Sequence, residues 1–135
     1  MRRKQLVNHY LNTNCITVSR EAGPETLMSV FAMSPTQFVP VLDDLRFIGV
    51  VFRTEFETDY SAKRSSNSLK PFISKEVPVL APENTIFEAI EVFKGSNHDI
   101  IVVVDEEKNM MGLLHREEVE SQYQPRWRRW LGVRS

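Results

Sequence analysis

Two stretches of the chain, one on either side of a serine- and charge-rich segment, run through the same order of apolar runs, turns and helix starts. A repeat of this kind restricts the fold more than any other feature of the sequence, because each copy must then be one structural unit. Cys15-Ile16-Thr17-Val18-Ser19 matches Val77-Pro78-Val79-Leu80-Ala81 as a short β-prone run entering a turn. Gly23-Pro24-Glu25-Thr26 and Pro82-Glu83-Asn84-Thr85 follow, and Thr26 and Thr85 are expected at equivalent N-cap positions. The helices predicted after them, Leu27–Met33 and Ile86–Phe93, carry apolar residues at three- and four-residue intervals and should bury one face. Ser34-Pro35 ends the first and Gly95 the second.

Phe38–Asp43 and Ile100–Asp105 are apolar runs closed by an aspartate, the pattern of central strands covered on both faces. Phe47–Phe52 and Met110–His115 return as hairpin partners, with Gly49 and Gly112 in the same place. Arg53-Thr54-Glu55-Phe56 and Arg116-Glu117-Glu118-Val119 then open a polar helix with acid in its first turn. The order is β-α-β-β-α, twice, which makes the fold class α/β (α+β). An approach segment precedes each first strand, His9-Tyr10-Leu11-Asn12 and Pro71-Phe72-Ile73-Ser74, and is expected to pack on its own unit. The expected organisation is a first repeat over 1–60, a linker over 61–70, a second repeat over 71–122 and a basic aromatic tail over 123–135.

Charge and composition exclude several classes. An apolar fraction of 41% with 26% charged residues is that of a folded domain. The net charge of −1 gives no field for nucleic acid, and none is expected as a partner. The single cysteine, Cys15, cannot form an internal disulfide and suits a reducing compartment. The residues after Met1-Arg2-Arg3-Lys4 are too polar for a signal h-region, and no run approaches the roughly 20 apolar residues that span a bilayer. A cytoplasmic location follows as the expectation. His9, His98, His115 and Cys15 lack the spacing of a structural zinc site, and there is no Gly-x-Ser-x-Gly elbow or P-loop. Neither metal binding nor catalysis is expected.

The repeat resembles a tandem pair of cystathionine-β-synthase (CBS) domains, a Bateman module. The resemblance is carried by the approach segments, the Thr-capped helix with an Ala or Met interior, the strand Val39-Pro40-Val41-Leu42-Asp43, and the Gly-apolar-apolar strand leading into an acidic helix start. The second copy has Val102 where the alignment puts the family's proline. The resemblance implies two units related by a pseudo-twofold axis, sheets packed together with helices outside, a homodimer of the pair, and no catalysis. It implies no required cofactor, but regulation by an adenosyl ligand such as AMP, ADP, ATP or S-adenosylmethionine, held in clefts between the units, with the change passed to a regulated partner protein.

In the family a motif like Gly-apolar-x-Thr/Ser-x-x-Asp grips ribose and phosphate, the hydroxyl on phosphate and the carboxylate on the ribose diol. Here the corresponding stretches are Gly49 to Glu55 and Gly112 to Glu118, and both depart from it: Phe52 and His115 replace the hydroxyl residue, while Glu55 and Glu118 replace the aspartate. The longer acid lowers affinity through the rotamer freedom it must lose. His115 and Arg116 are expected to help hold a phosphate, the histidine in a pH-sensitive way. Backbone near Thr17-Val18 and Pro78-Val79, with Val39, His98 and Ile101, is expected around the adenine, although apolar residues of this kind are ordinary core in most folds. The alternative reading is a ligand-free assembly protein acting through its dimer surface and the tail Gln124–Arg134. There Trp127, Trp130 and Leu131 lie among four arginines, suited to an acidic partner or an anionic membrane, or else to packing on the domain itself.

Overall fold

A computed structural model of the chain describes residues 5–60 and 67–122. The tail calls at Trp127, Trp130 and Leu131 lie outside the described residues. The described chain runs β1 (Val18–Ser19), α1 (Pro24–Met33), β2 (Phe38–Asp43), β3 (Arg46–Phe52), α2 (Arg53–Tyr60), β4 (Val79–Leu80), α3 (Ile86–Lys94), β5 (Ile100–Val104), β6 (Met110–His115) and α4 (Arg116–Gln122), with 3₁₀ turns at Val7–Tyr10 and Lys70–Phe72. Two three-stranded sheets result, ordered β1-β2-β3 and β4-β5-β6, so the expected β-α-β-β-α order stands in both halves.

β2 and β5 are the central strands, as their apolar runs required. β1 lies parallel to β2 and β4 parallel to β5, while β3 returns antiparallel to β2. The first strands are much shorter than predicted: Val18 and Ser19 pair with Val41 and Leu42, and Val79 and Leu80 with Val102 and Val103. That shared register also corrects the alignment of the copies, since Pro40 now corresponds to Ile101 rather than Val102.

The helix starts differ from expectation in one copy. Thr85 caps α3 through a capping box, its hydroxyl accepting from Glu88 N at 3.1 Å while the Glu88 carboxylate accepts from Thr85 N at 2.9 Å. Thr26, in contrast, lies inside α1. Pro24, whose fixed φ suits the first helical position, starts that helix early and leaves Gly23 as its N-cap. The two threonines are therefore not equivalent; Gly23 is the counterpart of Thr85.

The chain divides into two compact units, Asn14–Val77 with Glu107–Met110, and Met1–Thr13 with Pro78–Glu106 and Met111–Ser135. The approach segments are exchanged relative to the sequence reading. Val7 is fully buried beside Ile86, Phe93, Ile101 and Leu114 of the second repeat, and Asn12 pairs with Leu113 of β6. Leu69, read as linker, is fully buried with Phe72 among Leu27, Phe31, Val39 and Phe56 of the first repeat, and Ser74 pairs with Val50 of β3. The physical cause is the sheet edge: β3 and β6 present unpaired backbone groups that another extended segment satisfies.

Gly49 and Gly112 permit that approach. A Cβ at Gly49 would overlap Ile73 Cγ2 and lie 2.7 Å from the Ser74 carbonyl oxygen, whereas at Gly112 the nearest atom is the Asn12 carbonyl oxygen at 3.0 Å. Gly49→Ala is therefore expected to lower unfolding free energy by about 1–3 kcal/mol and Gly112→Ala by less, read from urea denaturation midpoints. In the same assay Thr85→Ala should cost about 1 kcal/mol and Thr26→Ala only a few tenths, because Thr85 alone is a cap.

Candidate ligand-binding junctions

Each unit brings its last strand directly into its last helix, and the first residue of that helix is an arginine in both. Arg116 Nε donates to Asp99 Oδ1 at 3.2 Å, and its Nη2 donates to the carbonyl oxygens of Ser96 and His98, both at 2.8 Å. Its guanidinium stands 5.0 Å from the Phe93 ring centroid, and Nη1 lies 3.7 Å from Glu120. Arg53 repeats the arrangement: Nε donates to Thr36 O at 2.8 Å, Nη2 donates to Ser34 O, Nη1 reaches Glu57 at 3.4 Å, and the group stands 4.8 Å from the Phe31 centroid. The carbonyls so held lie in the loops just past the ends of α1 and α3. A planar fork of donors over an aromatic face suits that role.

This clamp was missed by sequence reasoning, although its signal was visible as an arginine in the same place of each copy. Arg116, expected on a phosphate, has Nε and Nη2 bonded to Asp99 and to two loop carbonyls, while Nη1 faces Glu120. His115, expected on the same phosphate, has Nε2 3.1 Å from the Asn12 side-chain amide, so the approach segment already engages it.

The acids remain at the surface. Glu55 is exposed on α2 beside a polar cavity of about 80 Å³, which is also lined by Asp59, Phe72 and Ser74. Glu118 is exposed on α4. The cavity beside Glu55 is of a size that holds a few waters, not a whole nucleoside. Phe52 is half-buried at the end of β3, opposite Phe38.

Of the positions expected around an adenine, Val39 and Ile101 have no exposed surface and Val18 has 8%, so these side chains are core and do not line an open site. Tertiary packing on both sheet faces takes them. Thr17 is exposed, Pro78 half-buried with its carbonyl accepting from Val102 N, and Val79 is 44% exposed, so around these first strands exposed surface and backbone are available. His98 is half-buried in the loop that Arg116 holds. Burial raises the Cys15 thiol pKa, with a backbone hydrogen bond partly opposing it, which keeps the sulfur protonated at neutral pH. Among the described residues no cluster of three metal-ligating side chains occurs, and no helix is long and apolar enough to cross a membrane.

Comparison with known proteins shows what these features are similar to. Residues 69–122 match the CBS domain family model. Over most of its length the chain shares the fold of solved CBS pairs. It superposes on a CBS domain-containing protein from Bacillus anthracis with a TM-score of 0.75 at 20% identity, covering 86% of this chain and 91% of that one. The CBS-pair protein CBSX2 from Arabidopsis thaliana, solved in complex with AMP, gives 0.72 at 15% identity over 85% of this chain and 93% of that one. The CBS domain pair of MJ0100, solved with 5′-methylthioadenosine and S-adenosyl-L-methionine, gives 0.70 at 13% identity over 87% and 94%. No curated protein matches the sequence.

If the arginine is a clamp, Arg116→Lys should fail to replace it, since a lysine cannot bridge two carbonyls and stack at once. A loss of about 1–3 kcal/mol in thermal or urea unfolding is expected for Arg116→Lys, nearly as large as for Arg116→Ala. A lysine variant as stable as the parent would remove the clamp from the account.

Proposed function

We propose that this chain is a regulatory, non-catalytic module that binds an adenosyl ligand and passes the bound state to a partner protein. The observation that carries the reading is the exposed carboxylate at the strand-to-helix junction of each unit, Glu55 and Glu118, in a fold shared with pairs solved with AMP or with S-adenosylmethionine. A carboxylate there accepts from both hydroxyls of a ribose, and exposed first-strand backbone near Thr17 and Val79 supplies amide and carbonyl groups to an adenine edge. Cytoplasmic location and a homodimeric state belong to the same proposal.

A second reading, assembly without a ligand, is favoured by an apolar groove of about 400 Å³ between α1 and α2. Met28, Phe31, Ala32, Phe56 and Tyr60 line it together with the Arg53–Glu57 pair. Met28 is 47% exposed and Met33 89%, more apolar surface than one short helix ordinarily leaves in water. A second copy of the chain would cover it.

The two readings separate experimentally. Thermal unfolding with AMP, ADP, ATP, 5′-methylthioadenosine and S-adenosylmethionine should show stabilisation of roughly 2.7 kcal/mol at a hundredfold excess over Kd for any compound that binds the native state. Unchanged melting across the panel at millimolar concentrations rejects the sensing role. For assembly, Met28→Asp is expected to convert the dimer to a folded monomer in sedimentation equilibrium, and a dimer that survives the change would place its interface elsewhere.

A further inference from the structure

We infer that the groove between α1 and α2 is closed by the C-terminal segment of a second copy of this chain, with Trp127, Trp130 and Leu131 seated in it. The inference rests on the assembly reading above and names the part of the second copy that covers the groove. The groove lies within the unit that contains Asn14–Val77, and Met28, Phe31, Ala32, Phe56 and Tyr60 form its apolar lining. Phe31 and Phe56, 5.7 Å apart between ring centroids, are buried as its floor, while Met28 and Ala32 are exposed and Tyr60 is half-buried. A methionine beside aromatic rings is an adaptable apolar surface that receives another flat ring well. The volume of about 400 Å³ lies in the roughly 300–1,000 Å³ range of pockets that enclose organic groups, which is room for an indole or two.

The tail supplies such rings. Trp127 and Trp130 are the two tryptophans of the protein, and with Leu131 they stand at i, i+3 and i+4, the spacing of side chains that anchor a helical segment in an apolar groove. Residues 123–135 follow α4 and span up to roughly 45 Å when extended, enough to leave one copy and lie on another. Two copies that exchange the same segment for the same groove make a self-complementary contact, which closes at two.

Charge selects the same occupant. Residues 123–135 carry four arginines and no acid. The two helices that form the groove carry Glu25, Glu55, Glu57 and Asp59 against Arg53 as their one basic residue. Arg53 is paired with Glu57 at 3.4 Å, and the Glu57 side chain is 58% exposed, so the groove turns a carboxylate to solvent beside its apolar floor. On α1, Glu25 precedes Met28 by three positions and Ala32 by seven, which puts all three on one stripe of the helix. A basic aromatic segment is attracted to such a surface and an acidic one repelled.

Because both tryptophans lie in the tail, tryptophan emission from the full chain reports on that segment alone. In the dimer the emission is expected to be blue-shifted from that of the urea-unfolded chain, and to move toward the unfolded position as sedimentation equilibrium shows the dimer dissociating. Met28→Lys, and Ala32→Lys at a second exposed position, should produce the same red shift and weaken the dimer about tenfold or more, with far-UV circular dichroism unchanged. Trp127→Ala combined with Trp130→Ala should weaken it as much. Raising the salt from 50 to 500 mM should weaken it severalfold, since exposed charges are then screened over a Debye length of roughly 4 Å. Blue-shifted emission that persists in the monomer puts the tail on its own copy and overturns the inference, as does a dimer whose tryptophans emit like those of the unfolded chain. A dimer lost in Met28→Lys and Ala32→Lys but kept in the double tryptophan variant also overturns it, while leaving the assembly reading standing. A chain that is monomeric at every concentration removes both.

Discussion

The guanidinium that opens the last helix of each unit sets what the rest of the structure can do. In one set of contacts it satisfies carbonyls beyond the end of the preceding apolar helix, covers a core phenylalanine and fixes the loop before the central strand. Those carbonyls are half-buried acceptors that would otherwise need water or another donor. Both Arg53 and Arg116 are used this way, so the same device closes the loop ahead of the central strand in each unit.

Much of the architecture was legible in the sequence because it rests on periodicity and on residues with one strong preference. The apolar runs at 38–43 and 100–104 had to be central strands, since Val39, Val41, Ile101, Val102 and Val103 have no exposed surface to give. Gly95 ended α3 as its position required, and the capping box of Thr85 and Glu88 was a local, complete signal. Thr26 shows how such a signal misleads: a good cap residue lost its position to Pro24, two places upstream, whose ring fixes the helical start. The first strands were overread for a related reason. β-propensity extends over five residues in each, but a ladder exists only where the neighbouring strand offers partners.

The exchange of approach segments was not legible at all. Nothing in Val7-Asn8-His9-Tyr10 or in Leu69-Lys70-Pro71-Phe72 states which sheet edge it will close, because both are short, apolar in two positions and preceded by polar chain. Only three-dimensional connectivity decides it. The consequence is that neither repeat is a self-sufficient folding unit: Val7 completes one core and Leu69 and Phe72 the other, all at 6% exposure or less. The CBS family model matches from residue 69, while the segment that packs with α3 lies near the other end of the sequence.

The candidate site was legible to a different degree in its two parts. Glu55 and Glu118 followed from the repeat, and both are exposed at the expected junction. What the sequence could not report is which side-chain nitrogens of His115 and Arg116 already have partners within the fold. The two junctions are also chemically unequal. One ends its strand in Phe52, an apolar ring that a ligand could only pack against; the other ends in His115, tied to Asn12 of an approach segment. Any group that competed for His115 would loosen the same Asn12 whose backbone pairs with Leu113. His115 is thus tied through Asn12 to the edge of its sheet, while the edge at β3 is closed through the backbone of Ser74 and Val50.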